Sequence, residues 1–393
     1  MKVISAVICA ISIVSLLVGC ATKPVDVIPV ETTNEVVTTE ENTEEVTTEQ
    51  VTEEATTEQI IEEVTEEVTT EVVTEEPTTV APIKPTPIEP PAKEEIADGE
   101  VFTLTFVGDC TLGTMPKWMS HSLCFNRLIG DNYDLPFQYV RKVFEADDCT
   151  FVNLESVLAE SGEPVEKTFT FMGPTAYVNI LTGSSVEFAN LSNNHSYDFG
   201  EAGYLSTKET LDKNNVAYVE QNSKTIYTTK SGLTIGVYGV YFELDYADMV
   251  ADVNALKEQG AEVIVAAVHW GIEGAYTQNS IQTDIGHKLI DAGVNIVWGH
   301  HPHVLQPIEE YNGGIIYYSL GNFSFGGNHD PGDRDTAILQ QRVIRDKDGN
   351  VSLGNLVVIP CALSSKSAYN DFQPVAYDVN SDAYKRVLSK LKW

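Results

Sequence analysis

The chain is poor in cationic residues, in cysteine and in long hydrophobic runs. It carries 24 Lys and Arg against 58 Asp and Glu, which gives a formal net charge of −34. Nucleic acids attract basic surfaces, so this balance and the lack of a basic cluster argue against nucleic acid as a partner. The same acidity argues against simple electrostatic capture of a polyanionic polymer.

Cysteine is scarce, and its spacing does not indicate a zinc site. None of the six cysteines forms a Cys-x-x-Cys pair, so a zinc ribbon is not expected. Four of them, Cys110, Cys124, Cys149 and Cys361, fall in the last 293 residues. That density is too low for a disulfide framework. A single disulfide is the alternative for a protein outside the cytoplasm, but we expect these cysteines to be buried free thiols.

The N-terminus has an apolar run, Val3 to Leu17, that follows Lys2. The run is too short and wrongly flanked for an ordinary spanning helix and is typical of a secretory signal peptide. It closes with Leu17-Val18-Gly19-Cys20, which resembles the bacterial lipobox. We therefore predict a lipoprotein signal peptide over residues 1–20, lipidation of Cys20, and anchoring at the extracellular face of the cell membrane. A plain signal peptide with an incidental cysteine is the alternative.

Residues 21–100 are dominated by Thr, Glu and Val, with Pro toward the end. They contain 23 acidic residues and three lysines, in quasi-repeats such as Val51-Thr52-Glu53-Glu54. Such charge with few large apolar side chains cannot offset chain entropy by burial, so we predict a disordered linker with a stiffer Pro-rich end at 82–91. Its simplest role is a tether that holds a folded domain away from a membrane. A weakly amphipathic helix is the alternative.

Residues 101–393 have the pattern of a single α/β domain. Strand-like and helix-like segments alternate, which is typical of βαβ units with helices on the faces of a sheet. The predicted strands are 102–107, 150–154, 188–191, 234–241, 262–268, 295–298, 314–318 and 351–359. The predicted helices are 134–146, 174–182, 200–214, 245–259, 281–292 and 382–391. Two polar stretches, 326–335 and 364–371, are predicted to be loops that carry substrate contacts.

Five of the predicted strands end in residues that bind metals. The clusters are Gly108-Asp109, Asn153-Leu154-Glu155, Asn193-Asn194-His195, His269, and His300-His301-Pro302-His303. The carboxyl ends of parallel strands share one edge of a sheet, and ligands bind in the crevice there. Asp, Glu, Asn and His are ligands of divalent ions. The pattern therefore predicts a polynuclear metal site at this edge.

Taken singly, most of these clusters have an ordinary structural explanation. Gly108-Asp109 would often be a turn off the strand, Glu155 would more often begin a helix, and a lone His269 is often a core residue. The pair Asn194-His195 has fewer structural uses. His301-Pro302-His303 is more specific still, because two imidazoles separated by one rigid residue suit one or two divalent ions.

The ordered series of motifs resembles the capsule-synthesis CapA (PgsA) family. Members are tied to synthesis, export or surface retention of poly-γ-glutamate capsule. The family in turn is similar to calcineurin-like metallophosphoesterases, so the resemblance implies a four-layer α/β/β/α sandwich with a two-metal centre. The motifs run in order from Val107-Gly108-Asp109 through Val152-Asn153-Leu154-Glu155, Ser192-Asn193-Asn194-His195, Val268-His269-Trp270-Gly271 and Gly299-His300-His301-Pro302-His303 to Tyr318-Ser319-Leu320-Gly321-Asn322-Phe323.

The resemblance also assigns roles. Asp109 and His303 would hold the first metal, Glu155 would bridge, and Asn194, His269 and His301 would hold the second. The ions would be Mn, Zn, Fe or Mg. Two cations about 3.5–4 Å apart can activate a water for phosphoryl displacement.

Further roles concern the substrate side of the site. His195 would be the general acid beside the leaving group. Asp198 could orient His195 or cap the next helix, and we expect the cap. Asn322 and Arg334 are predicted to contact substrate.

Two departures from the metallophosphoesterase pattern affect the metal count. Asp109-Cys110-Thr111 stands where these enzymes have Asp-x-His, and Glu155 stands where they have Asp. The first metal position thus has one ligand fewer, so the number of bound ions, one or two, is left undecided. Cys110 could substitute, but its alternation with Asp109 along the strand predicts that it points away.

The leading interpretation is a surface lipoprotein of capsule synthesis or export with a phosphoesterase-type metal site. Its partners would be an anionic polymer or a phosphate ester, the membrane through the lipid anchor, and membrane synthase subunits. A non-catalytic export accessory that binds polymer is one alternative. A secreted phosphatase or nucleotidase unrelated to capsule is the other.

Overall fold

The computed structural model describes residues 86–92, 96, 98–242 and 245–393. The predicted signal peptide, Cys20 and most of the predicted linker lie outside these residues. Within the part described, no helix has both the length and the apolar character needed to cross a membrane. The Pro-rich segment 86–92 packs on the domain, where the Ile88 amide donates to the Tyr139 carbonyl at 2.8 Å.

The described chain alternates strands and helices. The strands are β1 (Gly99–Thr111), β2 (Cys149–Leu154), β3 (Val157–Leu158), β4 (Met172–Gly173), β5 (Phe188–Asn190), β6 (Ala217–Val219), β7 (Lys224–Thr228), β8 (Thr234–Tyr241), β9 (Val263–His269), β10 (Ile296–His300), β11 (Ile308–Tyr311), β12 (Gly314–Tyr317), β13 (Asn322–Phe325), β14 (Asp335–Asp346), β15 (Val351–Ala362) and β16 (Val375–Ala376). The α-helices are α1 (Phe125–Ile129), α2 (Arg141–Glu145), α3 (Val178–Thr182), α4 (Gly200–Lys213), α5 (Tyr246–Glu258), α6 (Ser280–Ala292) and α7 (Asp382–Leu391).

Most strands belong to two sheets. The large sheet has the order β16-β15-β14-β1-β2-β5-β6, with β13 also paired to β1, and the small sheet has the order β11-β12-β10-β9-β8-β7. The central strands of each sheet are parallel: β1, β2, β5 and β6 in one, and β8, β9, β10 and β12 in the other. A parallel sheet is normally covered on both faces. Its strands are therefore buried on both sides, which explains why the sequences of these strands are nearly continuously apolar.

Aromatic side chains fill the space between the sheets. Phe106 and Phe151 of the large sheet stack at 4.9 Å between ring centroids, and Trp298 and Tyr317 of the small sheet each lie 5.7 Å from Phe106. Side chains alternate along a strand, so Val107, next to Phe106, faces the opposite side. There it joins a second buried cluster with residues of α1 to α4.

Helices α5 and α6 cover the outer face of the small sheet through Met249, Val253, Leu289 and Ile290. The order of layers is therefore helix, sheet, sheet, helix. The predicted four-layer α/β/β/α sandwich is confirmed.

The predicted strands are all present, with shifted ends, but two predicted helices are shorter than expected. Segment 134–146 contains a 3-10 turn, Leu135–Phe137, and the short helix α2, while segment 174–182 contains a 3-10 turn, Thr175–Tyr177, followed by α3. In the first segment, buried Phe137 and Phe144 both contact Phe323, at 5.9 and 6.3 Å between ring centroids. Tertiary packing overrides the helical pattern there.

Candidate metal centre

The polar strand ends meet at one edge of the two sheets. Strand pairing aligns Asp109 with Asn322 on one side and Asn153 on the other, and Asn153 with Asn190. In the small sheet, His269 is paired with His300. The parallel strands thus bring these residues to a common crevice, as their sequence positions predicted.

Strand β1 does not end in a turn at Gly108, which was the ordinary structural explanation for the Gly108-Asp109 pair. It continues to Thr111 and has an irregular register between Phe106 and Asp109. A Cβ atom at Gly108 would lie 1.9 Å from the Gly321 carbonyl oxygen, and the Asp109 amide donates to that oxygen at 2.8 Å. Glycine is required because another backbone passes close by.

The Asp109 carboxylate is fully buried and lies among imidazoles. Its Oδ1 accepts a hydrogen bond from Asn153 Nδ2 at 2.9 Å and lies 3.2 Å from His300 Nδ1. Its Oδ2 lies 3.0 Å from His303 Nδ1. Burial raises the pKa of Asp109, but the hydrogen bonds with His300 and His303 outweigh burial and hold that pKa well below its usual value.

The Glu155 carboxylate is equally buried but has no hydrogen bond among the described residues. Its Oε1 lies 3.7 Å from His269 Nε2 and 4.0 Å from His195 Nε2. Burial, followed by the nearby charge of Asp109, raises the pKa of Glu155 well above its usual value. A buried carboxylate without a partner is costly and calls for a cation.

The loop after β10 holds His301 and His303 in unusual backbone conformations. Their φ angles are +96° and +57°, a region that residues with a Cβ rarely adopt. Such conformations persist where surrounding structure imposes them, and they concentrate at functional sites. His301 lies 4.8 Å from His269 and 6.0 Å from His303 between ring centroids.

Burial lowers the pKa of all three imidazoles, but nearby carboxylates reverse the net shift at one of them. Burial lowers the pKa of His269 well below its usual value and that of His301 to about 3. For His303, burial also lowers the pKa, but Glu155 and Asp109 outweigh burial and raise it to about 10. Two imidazoles are therefore neutral and able to bind a cation, while His303 carries a proton that a cation would have to displace.

Several buried polar atoms of the predicted ligands lack a hydrogen-bond partner among the described residues. They are Oε1 and Oε2 of Glu155, Oδ1 of Asn194, Nδ1 and Nε2 of His269, and Nδ1 of His301. Buried polar groups are normally paired, so this concentration of unpaired donors and acceptors fits residues that bind a further group. Carboxylate and amide oxygens with imidazole nitrogens fit a divalent metal ion.

Ligand atoms approach one another in two groups of three. One group is Asp109, Glu155 and His303, and the other is Glu273, His301 and His303; within each group the ligand atoms lie within 4.8 Å of one another. The first group contains three predicted ligands. Glu273 was not predicted, although it follows the β9 cluster by four residues.

His195 is held by residues on its outer side. Its Nδ1 lies 2.7 Å from Asp198 Oδ2, and Lys167 Nζ lies 3.4 Å from the same nitrogen and 3.1 Å from Asp198 Oδ1. The next helix begins after Phe199 with no side-chain cap, so the expected cap by Asp198 is wrong. Asp198 also accepts the Phe171 amide at 2.7 Å, which fixes the carboxylate against the ring.

Burial lowers the pKa of His195 despite the hydrogen bond to Asp198. The contact between Lys167 and His195 was not predicted. Lys167 lies far from His195 in sequence and belongs to none of the recognised motifs.

The remaining predicted residues occupy different settings. Asn322 Oδ1 lies 2.9 Å from His303 Nδ1, and Asn322 Nδ2 donates to the His303 carbonyl at 3.2 Å. The Arg334 guanidinium donates to the carbonyls of Lys366 and Ser367, both at 3.0 Å, and to Asp330. Two of these hydrogen bonds connect Arg334 to the 364–371 loop. Cys110 lies in the cluster under the helices, so it points away from the crevice as alternation predicted.

All four cysteines of the domain are buried free thiols, as expected. Two polar residues of the predicted clusters, Asn153 and His300, had no role assigned to them from the sequence. Both contact Asp109 Oδ1 and would hold that carboxylate in place. The period-two alternation of β2 is the one sequence signal for Asn153, since it puts Asn153 and Glu155 on the same side of the chain.

The fold and the site define a four-layer α/β/β/α protein with a carboxylate- and histidine-rich centre at the ends of both sheets. A family model described as "Bacterial capsule synthesis protein PGA_cap" matches residues 103–327. The chain belongs to this family of bacterial capsule synthesis proteins. The resemblance seen in the motifs is confirmed.

Curated relatives include two Bacillus proteins. The chain is 28% identical over 278 residues to the "PGA biosynthesis protein CapA" of Bacillus subtilis, covering 64% of this chain and 70% of the relative. It is 27% identical over 331 residues to the "Capsule biosynthesis protein CapA" of Bacillus anthracis, covering 75% and 74%.

Among solved structures, the NAD nucleotidase of Haemophilus influenzae is similar over 75% of this chain and 63% of its own, with 15% identity and a TM-score of 0.36. The four-layer assignment rests on the sheets and helices described above.

Proposed function

We propose that this protein acts in the synthesis, export or surface retention of a poly-γ-glutamate capsule, with a divalent-metal site of phosphoesterase type. Family membership and the printed names of the Bacillus relatives support the capsule role. In this proposal the residues before Cys20 are removed and Cys20 is lipidated, residues 21–100 are a tether, and residues 101–393 are the working domain at the extracellular face of the membrane.

The observation that carries the metal proposal is the set of buried, unpaired ligand atoms on Glu155, Asn194, His269 and His301. Asp109 and His303 would hold one ion and Asn194, His269 and His301 a second, with Glu155 between them. When bound, Mn, Zn, Fe or Mg would lower the pKa of a water and offset charge on phosphate oxygens.

The chain's own residues would then position and protonate the substrate. Asp198 fixes the His195 ring through Nδ1, which leaves Nε2, 4.0 Å from Glu155 Oε1, facing the crevice. With both ring nitrogens protonated, a form that the Asp198 carboxylate stabilises, His195 would deliver the Nε2 proton to the departing oxygen. Lys167, the cation beside this pair, would attract an anionic substrate into an acidic protein.

The test combines metal analysis of the full chain with phosphodiesterase assays. We expect bound divalent metal, and we expect His195→Ala and Asp198→Asn each to lower kcat by about 100-fold or more while metal content stays constant. Asp131→Asn, at an exposed position on another part of the domain, is the matched control. A wild-type chain that is metal-free and inert would contradict the catalytic proposal.

A non-catalytic role in export or retention is the second candidate, favoured by one observation. Cys110 points away from the crevice, so β1 supplies Asp109 alone where metallophosphoesterases supply two ligands. In a strain that lacks the gene, we expect His195→Ala and His301→Ala to fail to restore polymer if the site is catalytic. Full restoration by both variants would establish the accessory role.

Anchoring is tested separately with the predicted lipidation site. Cys20→Ser is expected to remove the protein from the membrane fraction without changing the metal content of the domain.

A further inference from the structure

The turn that follows β9 is tied to the loop that carries His301 and His303. The Trp270 amide donates to the His300 carbonyl at 3.1 Å, and the Gly274 amide donates to the Pro302 carbonyl at 2.9 Å. Gly271 and Gly274 have φ angles of +85° and +75°, which glycine adopts without strain. Two backbone hydrogen bonds and two glycine turns therefore fix the position of the turn against the loop.

Glu273 lies inside this fixed turn and faces the two imidazoles. Its carboxylate and one ring nitrogen from each of His301 and His303 lie within 4.8 Å of one another. Glu273 is exposed, whereas the Nδ1 atom of His301 is buried and has no hydrogen-bond partner among the described residues. An imidazole that has a buried, unpaired nitrogen and lies beside a carboxylate and a second imidazole fits a site that binds a cation.

We infer that Glu273 is a metal ligand: with His301 it belongs to the second of the two proposed ion positions, on the solvent side of the centre, and His303 lies within reach of both positions. This inference rests on the metal site proposed above and adds a residue to it. Two imidazoles and one carboxylate are a ligand set that leaves coordination positions open for water or substrate.

The added ligand lies on the small-sheet side of the centre and does not replace the one that β1 fails to supply. Cys110 lies in the cluster beneath the helices, on the far side of the large sheet from the crevice. Glu273 lies in the turn after β9 of the small sheet, whereas Asp109 lies on β1 of the large sheet. His303 belongs to both groups of ligand atoms, so it links the outer group to the inner group of Asp109 and Glu155.

The test measures Mn²⁺ binding to the full chain by titration calorimetry and by electron paramagnetic resonance, with no substrate present. We expect Glu273→Gln to weaken one Mn²⁺ site by at least about tenfold, since even residues that only support metal ligands contribute 10–100-fold. Asp109→Asn should weaken the other site, and His303→Ala should weaken both. Glu310→Gln, an exposed glutamate on β11, is the matched control and should bind as wild type.

The outcomes separate this inference from the proposed function. If the wild-type chain binds Mn²⁺ and Glu273→Gln binds it with unchanged stoichiometry and affinity, the role of Glu273 is overturned and the metal centre stands. If the wild-type chain binds no Mn²⁺, Zn²⁺ or Fe²⁺, the metal centre itself is overturned. Circular dichroism of each variant excludes loss of folding as the cause of weaker binding.

Discussion

At the scale of single residues, His303 couples metal binding to pH. Its pKa is lowered by burial but raised overall to about 10 by Glu155 and Asp109, so the imidazole is protonated in the metal-free protein at neutral pH. Burial also raises the pKa of Glu155 well above its usual value. A metal ligand must be deprotonated, so an ion that binds through His303 must displace its proton.

The expected result is that Mn²⁺ affinity rises with pH, by up to about tenfold per unit for each proton released, and levels off only as pH approaches the pKa of His303. Calorimetry at pH 6.5, 7.5 and 8.5 in two buffers of different ionisation enthalpy measures both the affinity and the number of protons. An affinity that does not change over this range would contradict the proton-coupled site.

At the scale of elements, the approach of β1 to the segment before β13 positions Asp109. The space there is too small for any side chain, because a Cβ at Gly108 would lie 1.9 Å from the Gly321 carbonyl oxygen. Interior strain of this kind costs about 1–3 kcal/mol and sometimes more. The affected backbone also carries a predicted metal ligand, so stability and metal binding should fall together.

We expect Gly108→Ala to lower the free energy of unfolding by about 3 kcal/mol and to weaken Mn²⁺ binding. Urea denaturation and calorimetry check the two effects. Gly332→Ala is the matched control, because nothing lies within 4 Å of a Cβ at that position, and it should change stability by less than about 0.5 kcal/mol. Equal stability of the two variants would show that β1 can shift to make room.

The strand β14 shows why an element can escape prediction. Its sequence has Gln340, Gln341 and Arg342 in succession, yet all three are buried. Gln340 donates to Thr105 at 3.1 Å, and Gln341 accepts from Tyr317 at 2.9 Å. These partners lie on β1 and β12, far away in sequence. A polar run becomes a core strand only when distant partners satisfy it.

At the scale of the whole molecule, the proposed metal centre draws its ligands from both sheets. Asp109 lies on β1 of the large sheet, and Glu155 and Asn194 follow β2 and β5 of that sheet. His269 ends β9 of the small sheet, and His301 follows β10. An ion bound by residues of both sheets stabilises the folded domain because the unfolded chain does not hold the ligands together.

We expect Mn²⁺ at 100 times its Kd to stabilise the protein by about 2.7 kcal/mol per site, which corresponds to a rise in Tm of roughly 5 °C or more. Thermal unfolding with Mn²⁺ and with excess EDTA measures the difference. His301→Ala should reduce it, whereas Glu310→Gln should not. A Tm that is the same with metal and with chelator would argue against a centre that joins the sheets.

The sequence by itself determined the order of the predicted strands and helices and the strand ends that carry candidate ligands, and its resemblance to the capsule-synthesis family implied the four-layer architecture. Hydrophobic periodicity and polar strand ends are local patterns, and parallel strands bring their carboxyl ends to one edge whatever the details. Cys110 could be excluded from the crevice for the same reason, by alternation alone.

Only the tertiary structure decided which side chains hold the ligands in place. Asp198 contacts His195 instead of capping a helix, Lys167 reaches the same ring from a distant loop, and Glu273 faces His301 because two backbone hydrogen bonds tie its turn to the neighbouring loop. These contacts depend on the positions that segments remote in sequence occupy in the folded chain. Local pattern carries no information about that position, because it is set by packing across the whole fold.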